Sequence, residues 1–74
     1  MWEHGTLKVE NQNISYSIKV FEEPSEYGIN KGRISKLTLK ANKRVIANYD
    51  RGWDIMPTSE LASEALEMIL DARN

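Results

Sequence analysis

Ile14-Ser15-Tyr16-Ser17-Ile18-Lys19-Val20-Phe21 alternates apolar and polar side chains without a break from Ile14 to Val20. Successive side chains of a strand point to opposite faces. Ile14, Tyr16, Ile18 and Val20 therefore form one face, and Ser15, Ser17 and Lys19 the other. A strand that is apolar on one side and polar on the other belongs to a sheet covered on one face only. The cover stands at the far end of the chain, after Pro57. There the period lengthens, and at about 100° per residue Leu61, Ala62, Ala65, Leu66, Met68, Ile69 and Ala72 fall in one arc. Leu70 sits at its border, while Ser63, Glu64, Glu67 and Asp71 take the opposite side. Thr58 is the expected N-cap, with Glu60 well placed in the first turn.

Working outward from residues 14–21, Thr6–Glu10 reads as a preceding strand, with Leu7 and Val9 inward. Asn11-Gln12-Asn13 would make the hairpin turn, since asparagine tolerates left-handed backbone angles. On the other side, Glu22–Gly32 breaks the alternation with Pro24, Gly28 and Gly32. Tyr27 and Ile29 suggest that this connector packs back onto the body. Arg33–Lys40 is a third strand, with Leu37 and Leu39 inward and Lys36, Thr38 and Lys40 outward. Ile34 is out of phase with the leucines, and a bulge near Ser35 would repair the register. Ala41-Asn42-Lys43 turns into a fourth strand, Arg44–Tyr49, where inward Val45, Ala47 and Tyr49 outnumber Ile46. Asp50-Arg51-Gly52 is a turn in which Gly52 is available for a positive φ. Trp53 and Ile55 continue as a short extended segment. The expected fold is α+β: one domain over residues 1–74, with an antiparallel sheet of about four strands and one C-terminal helix on one face.

Composition sets bounds on function. The chain has 74 residues, no cysteine and a net charge of −1. Disulfides and thiolate metal sites are thereby excluded, and a reducing cytoplasm is the expected compartment. Met1–Gly5 has neither a basic nor an apolar signal region, and no apolar run approaches a membrane span. Asn13-Ile14-Ser15 matches the glycosylation sequon by chance in such a setting. The small net charge conceals segregation. Residues 31–51 hold seven bases (Lys31, Arg33, Lys36, Lys40, Lys43, Arg44, Arg51) and one acid, Asp50. The flanking segments are acidic. A pI near 5.8 argues against a dedicated nucleic-acid binder, although the local basic block keeps that option open.

No catalytic constellation emerges. His4 is the only histidine, so a metal site or a serine nucleophile would depend on it alone. Asp50 and Asp54 bracket a turn but lack the calcium-loop pattern. Glu22, Glu23 and Glu26 lie in a polar loop and read as solvated, whereas acid–base work needs one carboxyl group desolvated. Gly28-Ile29-Asn30-Lys31-Gly32 matches neither phosphate-binding glycine motif and precedes a strand rather than a helix. No enzyme, metal or cofactor is expected.

Two surfaces remain. The outward lysines Lys8, Lys19, Lys36 and Lys40 would share the uncovered face of the sheet, opposed by Glu10 and Asp50. Such a face could track phosphates, or it could simply solvate an open sheet. Tyr16 and Tyr49 read as inward, which leaves no aromatic to stack a base. Duplex DNA held by its backbone is thus the nucleic-acid alternative. The second surface is Tyr49-Asp50-Arg51-Gly52-Trp53-Asp54. Arg51 and Trp53 are residue types that anchor protein interfaces. The structural alternative folds Trp53 onto the core as a corner.

The run Tyr27-Gly28-Ile29-Asn30-Lys31-Gly32-Arg33-Ile34-Ser35-Lys36-Leu37, with Tyr49-Asp50-Arg51-Gly52-Trp53, resembles small uncharacterised proteins of Gram-positive bacteria and their phages. The resemblance implies a setting and no assigned function. The arm-type DNA-binding domains of phage integrases are similar in element order alone. The expectation is a small, non-catalytic, cytoplasmic interaction module with a protein partner. Duplex DNA is the alternative ligand. A monomer is expected, with a homodimer through the Leu70 edge as the alternative.

Overall fold

Two short turns without glycine set the register of the sheet. Glu10 and Asn11 have φ of 50° and 65°, and Asn42 and Lys43 have φ of 52° and 65°. Two consecutive positive φ angles define the two-residue hairpin whose twist matches that of the strands it joins. The computed structural model describes residues 1–74. In it these turns link β1 (Trp2–Val9) to β2 (Gln12–Val20) and β3 (Ile34–Ala41) to β4 (Arg44–Asp50). A three-residue strand, β5 (Trp53–Ile55), and a helix, α1 (Glu60–Arg73), complete the fold. All neighbours are antiparallel in the order β1-β2-β3-β4-β5. The α+β architecture matches the sequence reading, with the short Trp53–Ile55 segment making a fifth strand.

The first turn falls earlier than Asn11–Asn13, and β1 begins at Trp2 rather than Thr6. Trp2 pairs with Lys19 and Gly5 with Tyr16. At Gly5 a Cβ would lie 2.6 Å from the Tyr16 hydroxyl, so only glycine lets the tyrosine side chain cross β1. That glycine interrupts the apolar alternation and hides the start of the strand from a periodicity reading.

Ser35 is the bulge that the out-of-phase Ile34 demanded. Lys19 pairs with Lys36 and Val20 with Ile34, leaving Ser35 unpaired across the ladder. Ile34 and Ser35 are both buried. The Ser35 carbonyl accepts from the Arg51 N–H at 3.0 Å, which ties the bulge to the β4–β5 turn. A second irregularity faces β4, where Leu39 pairs with Ala47 and Lys40 with Val45. Ile46 is the extra residue and packs against the core, while Val45 is exposed. This corrects the inward assignment of Val45.

Ile14, Ile18, Ile34, Leu37 and Leu39 are the largest fully buried side chains. Ala62, Ala65 and Ile69 of α1 are buried as well, and Leu61, Leu66 and Leu70 pack alongside them. The buried arc is therefore centred near Ile69, with Leu61 and Leu70 on its flanks. Leu70 turns inward, whereas Met68 and Ala72 are exposed. The N-cap is Ser59, not Thr58: its Oγ accepts from the Ala62 N–H at 3.1 Å.

The connector closes on the C-terminal end of α1. The Asn74 side chain accepts from the Arg33 and Ile34 N–H groups at 2.9 and 3.3 Å and donates to the Ile29 carbonyl at 2.9 Å. The Arg33 guanidinium donates twice to the Arg73 carbonyl, at 3.0 and 2.8 Å. A Cβ at Gly32 would collide with the Asn74 side chain, so this closure needs glycine there. Ile29 is buried beneath it, while the Tyr27 ring stays exposed. The Tyr27 carbonyl accepts from the Tyr49 hydroxyl at 2.8 Å.

Candidate binding face

α1 covers one face of the sheet and leaves the other open. The inward set Leu37, Leu39 and Ala41 on β3 forces Lys36, Thr38 and Lys40 outward, because side chains alternate. The same rule turns Lys8 outward between Leu7 and Val9, and Lys19 outward between Ile18 and Val20. Cross-strand pairing places Lys19 beside Lys36 and Ser15 beside Lys40. Two like charges directly opposite each other disfavour the ladder, so the adjacency of Lys19 and Lys36 is not explained by strand pairing. Asp50 relieves part of it. Its carboxylate lies 3.8 Å from the Lys36 ammonium and 3.8 Å from Arg51. Both pairs are solvent-exposed and contribute little to stability.

Glu10 does not oppose these lysines. The early turn swings it to the helical side, where its carboxyl group lies against that of Glu64. That contact, partial loss of water, and the negative charges of Glu10, Glu60 and Glu67 hold the Glu64 carboxyl above its usual range. Four glutamates thus gather on the helical side, opposite the four lysines of the open side. On the open face Asp50 and Asp54 oppose the four lysines.

Aromatic side chains are present on this face, contrary to the sequence reading. Because β1 starts at Trp2, both Trp2 and His4 fall in phase with Lys8. Their rings lie within 7° of parallel, with centroids 6.2 Å apart. Trp2 is 49% exposed. His4 Nδ1 is 2.8 Å from the Ser17 hydroxyl. The row continues across the sheet: Ser17 pairs with Thr38, the Thr38 hydroxyl donates to Asn48 at 2.7 Å, and Asn48 donates to Asp54 at 3.2 Å. Trp2, His4, Ser17, Thr38 and Lys40 line one shallow depression. A second is lined by Lys19, Phe21, Tyr27, Lys36 and Arg51. Its Phe21 and Tyr27 rings are exposed, and the Lys19 ammonium lies 5.3 Å above the Phe21 ring.

The corner at Asp50–Trp53 separates the two residues first considered together. Trp53 packs against the core, its ring edge-on to Tyr49 at 5.0 Å and 78°. Arg51 is exposed at the rim of the open face. The positive φ of the turn, 56°, sits on Arg51 and not on Gly52. Elsewhere, Glu3 receives a 2.9 Å hydrogen bond from Arg73, which raises the arginine pKa further and ties α1 to β1. No three histidine, aspartate or glutamate side chains converge to hold a metal ion.

The sheet thus has one side committed to a helix and the other carrying charge and aromatic rings. The chain belongs to the family described as Domain of unknown function (DUF7678), whose model matches residues 1–74. No curated protein and no solved structure matches the chain.

Proposed function

We propose that this protein is a small, non-catalytic interaction module whose working surface is the open sheet face, and that its partner is anionic where it docks. One observation carries the reading. Lys8, Lys19, Lys36 and Lys40 occupy the uncovered face, while Glu10, Glu60, Glu64 and Glu67 lie on the helical side. A chain with a net charge of only −1 thereby presents a basic patch on one face and an acidic patch on the other. An anionic partner is drawn to one face and repelled by the other, which fixes its orientation during encounter. The resemblance of residues 27–37 and 49–53 to bacterial and phage proteins supports a cytoplasmic bacterial or prophage setting. The test is retention on immobilised heparin. The parent chain should be retained, and Lys36→Glu with Lys40→Glu should elute at clearly lower salt with an unchanged circular dichroism spectrum. Passage of the parent straight through the column would overturn the reading.

Duplex DNA is the second reading, favoured by the spread of the lysines over three strands. If all four lysines contact phosphates, log affinity against log salt should fall with a slope of about −3.6, from roughly −0.9 per contact. Sequence preference should be slight, since phosphate contacts position a protein without reading bases.

A further inference from the structure

We infer that the open face binds single-stranded nucleic acid, with the Trp2 ring as the surface on which a base stacks. This rests on the anionic-partner reading above and names the partner. The first argument is exposure. Trp2, Phe21 and Tyr27 are 49%, 45% and 57% exposed in a chain with only six aromatic residues other than histidine. In a domain this small, buried aromatic surface is a major source of stability, yet half of that supply lies in water. The fold does not need them there. Tyr16, Tyr49 and Trp53 do the packing.

The second argument is placement. The exposed rings are interleaved with cations rather than scattered. Trp2 pairs across the ladder with Lys19, which pairs with Lys36. Phe21 lies under the Lys19 ammonium, and Tyr27, Lys36 and Arg51 border the same depression. His4 extends the Trp2 ring surface toward Lys40. Rings for base faces between cations for phosphates is the arrangement that single strands require. A duplex keeps its base faces stacked inside, so Trp2 and His4 would be idle against it. Both ionic contacts and stacking are available to a single strand, and only the ionic ones to a duplex.

The third argument is the hydrogen-bonded row. Ser17, Thr38 and Asn48 satisfy their neighbours along the centre of the face. That row leaves a flat, neutral strip between the lysines, suited to base edges and poorly suited to phosphates.

The test uses the Trp53→Phe chain, so that Trp2 is the single tryptophan reporter. It is titrated separately with oligothymidylate, oligouridylate and a mixed-sequence duplex. We expect one or both single strands to quench Trp2 fluorescence and to bind more tightly than the duplex. Trp2→Leu, made in the parent chain and followed with a labelled oligomer, should weaken binding roughly 5- to 150-fold. Trp2→Phe should retain most of the affinity. Replacing Lys36 and Lys40 with alanine should reduce the salt slope for the single strand by about 1.4, from roughly 0.7 per contact. Trp2→Leu faces outward and should leave the melting curve unchanged. Duplex binding at equal or greater strength, or single-strand binding indifferent to Trp2→Leu, would overturn this inference and leave the anionic-face reading standing. Retention on heparin with no binding of any oligomer would overturn it likewise. Loss of heparin retention as well would remove both.

Discussion

The two faces of the sheet are built from the same strands and share no chemistry. On the covered face Ile14, Ile18, Leu37 and Leu39 are 1% exposed or less. On the open face their immediate neighbours are Ser15, Ser17, Lys19, Lys36, Thr38 and Lys40. One residue along the chain separates the two sets, so any register slip would exchange them wholesale. The covered face is explained by folding alone, through the removal of apolar surface from water. The open face is not. Paired lysines and exposed aromatic rings contribute little to stability, and the rings raise the risk of association. Side chains that folding does not require are the ones whose identity a partner can explain.

The comparison implies that the two faces should respond very differently to substitution. Ile18→Ala or Ile69→Ala should cost about 2–5 kcal/mol in urea unfolding, comparable to the whole stability of a domain this size. A variant that melts within a few degrees of the parent would show that the covered face is not the core. Asn74→Ala should cost about 1–3 kcal/mol, because three backbone groups of the connector and the start of β3 lose their partner at once. Gly32→Ala should disturb the same closure, so the double variant should lose less than the two single losses together. Strict additivity would mean that glycine and asparagine act separately.

On the open side, Lys36→Ala with Lys40→Ala should stay within about 0.5 kcal/mol of the parent. A larger loss would mean that these lysines serve the fold. Gly52→Ala belongs with the quiet group. A Cβ there meets nothing within 4 Å, and the strained backbone angle lies on Arg51. It should be neutral or stabilising by up to about 1 kcal/mol. The smallest effect concerns Glu64, whose carboxyl is held above its usual range by Glu10. A raised folded-state pKa gives stability that is complete below the unfolded value and is lost as pH rises through the folded one. Glu64→Gln should therefore melt slightly higher than the parent at neutral pH, and the difference should close as the pH falls through the carboxylate range. A difference that persists in acid would assign the gain to helix propensity instead.

Much of the covered face was legible in the sequence. The period of two in Ile14–Val20 and Leu37–Leu39 gave the inward set, and the out-of-phase Ile34 gave the bulge at Ser35. These are local signals, because alternation is a property of the strand that carries it. The open face was legible in part. The four lysines lay on it as their phase required, but Trp2 and His4 were missed. Their phase with Lys8 was a usable signal, since Trp2, His4, Thr6 and Lys8 alternate throughout, but Gly5 broke the apolar half of the pattern. Phe21 stood in phase with Ser17 and Lys19 at the end of the second strand, while Tyr27 carried no periodic signal at all.

By itself, then, the sequence determined the succession of strands and helix along the chain, the face that β1, β2 and β3 bury and the segregation of basic from flanking acidic segments. Hydrophobic period and charge are written residue by residue and need no knowledge of neighbours. The tertiary structure alone decided where β1 begins, which side Glu10 takes and which flank of the helix arc is covered. It also decided that Asn74 seals the connector and that Arg51, not Gly52, holds the left-handed angle. Each of these depends on a partner remote in sequence: Tyr16 across Gly5, Glu64 beside Glu10, Ile29 and Arg33 against Asn74, and the Ser35 carbonyl receiving the Arg51 N–H. Pairing across such separations is a property of the packed chain, and no local pattern contains it.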